Sequence, residues 1–142
     1  MKISPEALKA VNAHVAEGYP NEICGMLAAP KGTRAVTEIR RAKNANTERP
    51  RDTYQIDPRE HRAIEKDCDR AGLDIVGYYH SHPDHASYAS IRDTEQAWPD
   101  YYYLIVSCIG GEVKEGKVFS RSDWETRQMT EEPLEVARAK PV

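Results

Sequence analysis

Leu8, Val11 and Val15 recur at the three- and four-residue spacing that lines one face of an α-helix. Ser4 and Pro5 supply an N-cap and a first helical residue, and Gly18 supplies a stop, so a helix is predicted over about residues 5–17. Ile23 to Ala29 is a short apolar run closed by Pro30 and reads as a buried strand. Ala35 to Arg41 alternates apolar and polar residues, the pattern of a half-buried strand, and follows a turn at Lys31-Gly32. Residues 43–52 are polar and rich in turn formers, which predicts a loop, and Thr53 to Ile56 reads as a short strand.

Asp57-Pro58 opens a second helix, with Glu60 placed to complete a capping box. His61, Ile64, Cys68 and Ala71 share one face of it, and Gly72 ends it. Leu73 to Tyr79 predicts the next strand, after which Pro83 is expected to end pairing and turn the chain. A third helix is predicted from Ser90 to about Trp98, stopped by Pro99. Tyr101 to Ile109 is strongly β-prone, and Gly110-Gly111 predicts a hairpin into Val113–Phe119. From about Ser120 the chain is charged, and a short C-terminal helix or strand is expected, with a frayed tail after Pro141. The pattern holds no internal repeat and no linker. It predicts an α+β fold, a mostly antiparallel or mixed sheet flanked by helices.

With 142 residues the chain fits a single domain, 1–142, with one substantial core. The formal charge is −3, from 20 basic and 23 acidic side chains, and no basic stripe with interleaved aromatics points to nucleic acid. The first residues lack an apolar signal region, and no run approaches the roughly 20 apolar residues of a membrane span, so a soluble cytoplasmic protein is expected. Cys24, Cys68 and Cys108 are odd in number and far apart, with no CxxC, and read as small buried hydrophobes. The Tyr101–Ile109 run suits either a homodimer contact or a buried central strand.

The candidate chemistry lies in Tyr79-His80-Ser81-His82-Pro83 and in Ser90-Ile91-Arg92-Asp93. His80 and His82 are two residues apart, so in a strand both imidazoles project from one face and can converge on one ion. An HxH pair alone also describes ordinary surface histidines. Asp93 adds a carboxylate, and two nitrogens with one oxygen make the three-ligand set of a catalytic zinc. Asp93 also completes an S-x-x-acid capping pattern, and a helix held rigid from Ser90 is compatible with both roles. Glu22 sits where a polar loop enters an apolar strand, so it can be placed rigidly and partly desolvated, as a general base requires. By itself it also reads as a solvated loop glutamate.

Glu22 in a P-x-E-x-C-G context, His80-x-His82-Pro83 and Ser90-x-x-Asp93 together resemble the JAMM motif of MPN-domain metalloproteases. The resemblance spans roughly residues 3–120 and leaves 121–142 as a C-terminal extension. It implies an MPN-like (cytidine deaminase-like) mixed sheet and one zinc ion per chain. The zinc would be held by His80, His82 and Asp93, with Glu22 as general acid/base and Ser90 donating to the oxyanion. One departure is visible: the family often has proline before this serine, where Ala89 stands here. Ser81 matches the family's usual residue and is expected to support the loop. His85 reads as solvated or as a substrate contact, His14 and His61 as structural, and Trp98 and Trp124 as core or edge packing.

MPN-domain proteases generally act on ubiquitin-like proteins at a C-terminal Gly-Gly. This short chain lacks long insertions and resembles the compact prokaryotic members linked to ubiquitin-like sulfur carriers. The resemblance therefore implies a peptidase or isopeptidase that frees an amino acid such as cysteine, or trims extra residues, from such a carrier. Two alternatives remain: a zinc hydrolase of small peptides or amides, and a non-catalytic MPN scaffold that binds partner proteins.

Overall fold

In the computed structural model, which describes residues 1–137, a six-stranded sheet carries His80 and His82, while Glu22, Ser90 and Asp93 lie in segments that flank it. The elements in chain order are β1 (Lys2–Ile3), α1 (Pro5–Gly18), β2 (Cys24–Pro30), β3 (Glu38–Ala42), α2 (Pro58–Arg70) and β4 (Leu73–Pro83). They continue with α3 (Ile91–Gln96), β5 (Tyr102–Ile109), β6 (Glu112–Ser120), β7 (Thr130–Glu132) and β8 (Glu135–Val136). The main sheet runs β3-β2-β4-β5-β6-β7. Its β4–β5 pair is parallel and the others are antiparallel, so the sheet is mixed as predicted. A parallel pair needs a crossover rather than a tight turn, and the segment carrying α3 supplies it.

The sheet buries different chemistry on its two faces. On one, α1 lays Ala7, Val11 and Val15 against Leu27, Tyr79, Leu104, Val106 and Val118. On the other, α2 contributes Cys68 to a smaller cluster with Ala28 and Leu73. All three cysteines are free and buried. β5 lies inside the sheet between β4 and β6, so internal pairing accounts for its apolar run without a second copy. Among the described residues no helix is long and apolar enough to cross a membrane.

Gly25, the residue that closes the P-x-E-x-C-G string, has a packing reason. A Cβ there would lie 2.3 Å from Cζ of Tyr79, whose ring is fully buried. Only a bare backbone lets β2 pass over that ring while Cys24 pairs with His80. The Gly110-Gly111 turn forms as expected, with φ of 60° and 87°, a left-handed pair that suits a two-residue hairpin.

His14 of α1 meets the Tyr79 hydroxyl through Nδ1 at 2.7 Å. Burial and the nearby Arg41 charge lower its pKa from 6.5 to about 4, against the opposing pull of Glu17. The unfolded chain therefore binds this proton at higher pH than the folded one, and His14 favours folding fully above pH 6.5. That contribution is lost as pH falls towards about 4. Because the ring is only half-buried, the loss is expected to be on the order of 1–2 kcal/mol. Urea midpoints of wild type and His14→Gln, followed across this window, should converge on the acid side.

Several sequence expectations differ from the structure. Thr53–Ile56 forms no strand: Asn44 organises this segment, its amide donating to the carbonyls of Glu22 and Thr53 at 3.1 Å while Oδ1 accepts from Gln55 N–H at 3.2 Å. Glu60 does not complete a capping box. Its carboxylate accepts from Lys43 N–H at 2.8 Å, while Asp57 caps alone through Arg59 N–H. Pro83 does not end pairing at the histidines but remains in β4 opposite Cys108, and the chain turns at Asp84, where φ is 60°. Helix α3 stops at Gln96, because Ala97 is already extended and Trp98 N–H donates to the Tyr103 hydroxyl.

Trp98 and Trp124 are not core: both are exposed, packed edge to face with centroids 5.4 Å apart. The C-terminal extension adds β7 to the sheet edge beside β6 and pairs β8 with β1. The tail expected to fray after Pro141 lies outside the described residues.

Candidate active site

β4 presents His80 and His82 on one face, in register with Ile105 and Ser107 of β5. They are 1% and 9% exposed, and their Nε2 atoms lie 3.3 Å apart. His82 Nδ1 is 2.9 Å from the Ala86 carbonyl, which can only accept, so Nδ1 carries the proton. The neutral ring then turns its Nε2 lone pair into the site. The His80 ring is stacked under Tyr54, with centroids 4.6 Å apart and planes 26° apart. Its Nδ1 is buried and has no hydrogen-bond partner among the described residues. Burial lowers the His80 pKa despite Asp93, whereas for His82 Asp93 and the Ala86 carbonyl outweigh burial and raise it.

Asp93 serves two structures at once. Its N–H donates to Ser90 Oγ at 3.0 Å and its Oδ2 accepts from Ser90 N–H at 2.9 Å, a reciprocal capping box at the start of α3. The same carboxylate reaches His80 Nε2 through Oδ1 at 3.2 Å and His82 Nε2 through Oδ2 at 3.3 Å. Burial pushes its pKa up, but the contacts from both imidazoles and the Ser90 N–H hold it well below the usual carboxylate range. Ser90 Oγ is occupied as an acceptor, so its own proton is available to a group in the cleft.

Glu22 enters from the loop before β2. Its N–H donates to the Pro50 carbonyl at 2.7 Å, and its carbonyl accepts from the Asn44 amide. Next to it, Ile23 N–H donates to Ser81 Oγ at 2.9 Å, and Ser81 N–H donates to the Ile23 carbonyl. The serine between the two histidines thus ties the Glu22 segment to β4. Glu22 is 6% exposed, and one carboxylate oxygen lies within 4.8 Å of a nitrogen of each histidine. Burial, helped by Asp93 and Asp52, pushes its carboxyl up to about 8 against the pull of His82 and Arg92.

The donor spacing fits one tetrahedral ion. Ligand atoms held at about 2.0–2.1 Å around a tetrahedral zinc lie about 3.3–3.4 Å from one another. The separations among His80 Nε2, His82 Nε2 and the Asp93 carboxylate are 3.2–3.3 Å. Two imidazoles whose inward nitrogens face each other this closely can share a proton or a metal ion between them. A set of two nitrogens and one oxygen suits zinc, and Glu22, within 4.8 Å of both histidines, adds a second carboxylate to the same site.

The residues singled out in the sequence, Glu22, His80, His82, Ser90 and Asp93, therefore converge. All but the deeply buried His80 line a cleft of about 270 Å³. A larger open cleft of about 890 Å³, between α2 and the start of β4, contains none of them. His85 is exposed on the rim of the smaller cleft, and its carbonyl accepts from Ser107 Oγ at 2.5 Å. Together with Ser87 Oγ, which donates to the Glu115 carbonyl at 3.0 Å, that contact pins the loop where Ala89 replaces proline. His14 and His61 bond to Tyr79 and Tyr78 and stand apart from the cluster, as structural residues do.

Sequence reasoning missed Tyr54 beneath His80, Tyr88 packed edge-on to His82 at 5.3 Å, the loop organiser Asn44, and the cleft arginines Arg51 and Arg92. Tyr88, lying between His82 and Ser90, and Arg92, lying between Ser90 and Asp93, carried a positional signal.

The sequence matches the family of prokaryotic homologs of the JAB domain over residues 4–126. The desampylase of Haloferax volcanii is 38% identical over 112 residues, covering 75% of this chain and 80% of that protein. The CysO-cysteine peptidase of Mycobacterium tuberculosis is 32% identical over 106 residues, covering 74% and 71%. A JAB1/MPN domain protein from Archaeoglobus fulgidus superposes with a TM-score of 0.63 over 97% of this chain and 100% of that one. At 20% identity that likeness concerns the fold alone.

Proposed function

The chain belongs to the family of prokaryotic JAB-domain homologues, and from that premise we propose that it is a zinc-dependent peptidase acting on a ubiquitin-like carrier protein. The bond cut is the amide after the carrier's C-terminal Gly-Gly, which frees cysteine or trims extra residues. The observation that carries this reading is the triangle of His80, His82 and Asp93 donors at 3.2–3.3 Å with Glu22 beside it. Both curated relatives bear names of enzymes that process a protein conjugate or extension. Three buried free thiols suit a reducing compartment, in keeping with a cytoplasmic enzyme.

His80, His82 and Asp93 would hold one zinc ion. Bound there, the ion would lower the pKa of water towards about 7 and polarise the scissile carbonyl. Glu22 takes the proton of the attacking water and delivers it to the leaving nitrogen; a desolvated carboxyl poised near neutrality suits that shuttle. Ser90 donates its hydroxyl proton to the oxyanion as the carbonyl carbon becomes tetrahedral. Tyr54 keeps the His80 ring in plane, the Ala86 carbonyl fixes the His82 tautomer, and Ser81 keeps Glu22 in reach. A thin Gly-Gly tail suits a cleft of about 270 Å³ better than a folded segment does.

The test is to incubate the zinc-loaded protein with a carrier extended by cysteine after its Gly-Gly and to follow intact mass. The expected result is loss of the cysteine mass, stopped by chelator and restored by zinc. A wild type that takes up no metal removes the enzyme reading. Zinc uptake with intact carrier fusions and cleavage of small amides assigns the site to a small-molecule hydrolase.

A further inference from the structure

Two arginines share the cleft with Glu22 and Ser90. Arg51 comes from the loop after β3 and lies 4.0 Å from the Asp84 carboxylate. Arg92 comes from the first turn of α3, immediately before Asp93, and is exposed. Among the described residues it forms no ion pair. Its guanidinium therefore stands in the wall of an acidic cleft without a partner. It is also near enough for its charge to act on Glu22.

The chemistry of the leaving group makes this position informative. The water oxygen bonds to the glycine carbonyl carbon, the C–N bond breaks, and Glu22 passes the water proton to the departing nitrogen. If the departing residue is an α-amino acid, its carboxylate carbon lies only about 2.5 Å from that nitrogen, two bonds of about 1.5 Å away. A carboxylate is then brought against the Glu22 side of the cleft, whose wall also carries the carboxylates of Asp52 and Asp93. A cationic side chain on that wall favours its binding. A lysine side chain leaving from an isopeptide bond brings no carboxylate to that place.

We propose that Arg92 binds the free α-carboxylate of the released residue and so selects carriers extended by a single C-terminal amino acid over isopeptide conjugates. A guanidinium fork presents paired N–H donors to a carboxylate, a geometry that lysine does not reproduce. The proposal rests on the function proposed above and assigns to it a leaving-group class.

The test compares a carrier ending Gly-Gly-Cys as the free acid with the same carrier as the carboxamide. It uses kcat/KM of zinc-loaded wild type, and Kd on the Glu22→Gln background, where binding is read without turnover. The acid is expected to be favoured about 10- to 100-fold in both measurements, the range of a charge-assisted contact. Arg92→Ala should bring both ratios to near one, Arg92→Lys should restore part of the preference, and Arg51→Ala should retain it. Equal handling of acid and amide by wild type overturns the proposal while leaving the function standing. So does a preference that survives Arg92→Ala or disappears in Arg51→Ala. A wild type that neither binds nor cuts either carrier overturns the function and this proposal together.

Discussion

Glu22→Gln is expected to lower kcat by about 10²–10⁴ while leaving one zinc bound per chain. The substitution is nearly isosteric, so the backbone contacts that hold this residue, from Glu22 N–H to Pro50 and from Asn44 to the Glu22 carbonyl, remain. Glutamine cannot accept the water proton, and the leaving nitrogen loses its donor. Glu22 lies within 4.8 Å of both histidines, but the proposed function gives it the proton and leaves the ion to His80, His82 and Asp93, so metal affinity should change little. Single-turnover cleavage and metal content measured on the same preparation separate the two effects. A variant that lost both together would make Glu22 a ligand rather than a proton carrier.

Asp93→Asn is expected to abolish tight metal binding without unfolding α3. Asparagine keeps an oxygen that can accept from Ser90 N–H, and its own N–H still reaches Ser90 Oγ, so the capping box survives. What disappears is the negative charge that faces both imidazoles at 3.2–3.3 Å. Loss of even an outer-shell partner typically costs about 10–100-fold in metal affinity, and loss of a direct ligand should cost more. Asp93→Ala removes the cap as well and should add about 0.5–2 kcal/mol of destabilisation. Zinc titration followed by thermal denaturation of the three metal-free proteins distinguishes the roles.

The site was legible in the sequence to the extent that it is built on regular elements. An i, i+2 pair in a strand must share a face, and a serine three residues before an acid at a helix start must cap it. His80, His82, Ser90 and Asp93 accordingly stand where those rules put them. Gly25 was visible as a letter of the motif but not as the clearance beneath which Tyr79 passes.

What escaped prediction depends on side chains choosing between partners distant in sequence. Asn44 claims the backbone of residues 53–55, so the β-prone Thr53–Ile56 becomes a loop and brings Tyr54 against His80. Glu60 is drawn away from its own helix by Lys43 N–H. The hydroxyl of Tyr103 takes Trp98 N–H, and Arg121 takes the carbonyls of Thr94 and Ala97 at 3.1 Å, so α3 is shorter than its pattern suggests. Trp98 and Trp124, expected as core or edge packing, are exposed and pack on each other at the surface.

The central claim is that two imidazoles and one carboxylate of this chain hold a single metal ion. Zinc-edge X-ray absorption of the protein loaded with one equivalent of zinc tests it directly. Four nitrogen or oxygen donors are expected at about 2.0–2.2 Å, with an outer-shell signal from two imidazoles and no sulfur. A sulfur shell at about 2.3 Å, which would bring in a cysteine such as Cys24 opposite His80, or a zinc ion without imidazole neighbours, would contradict it.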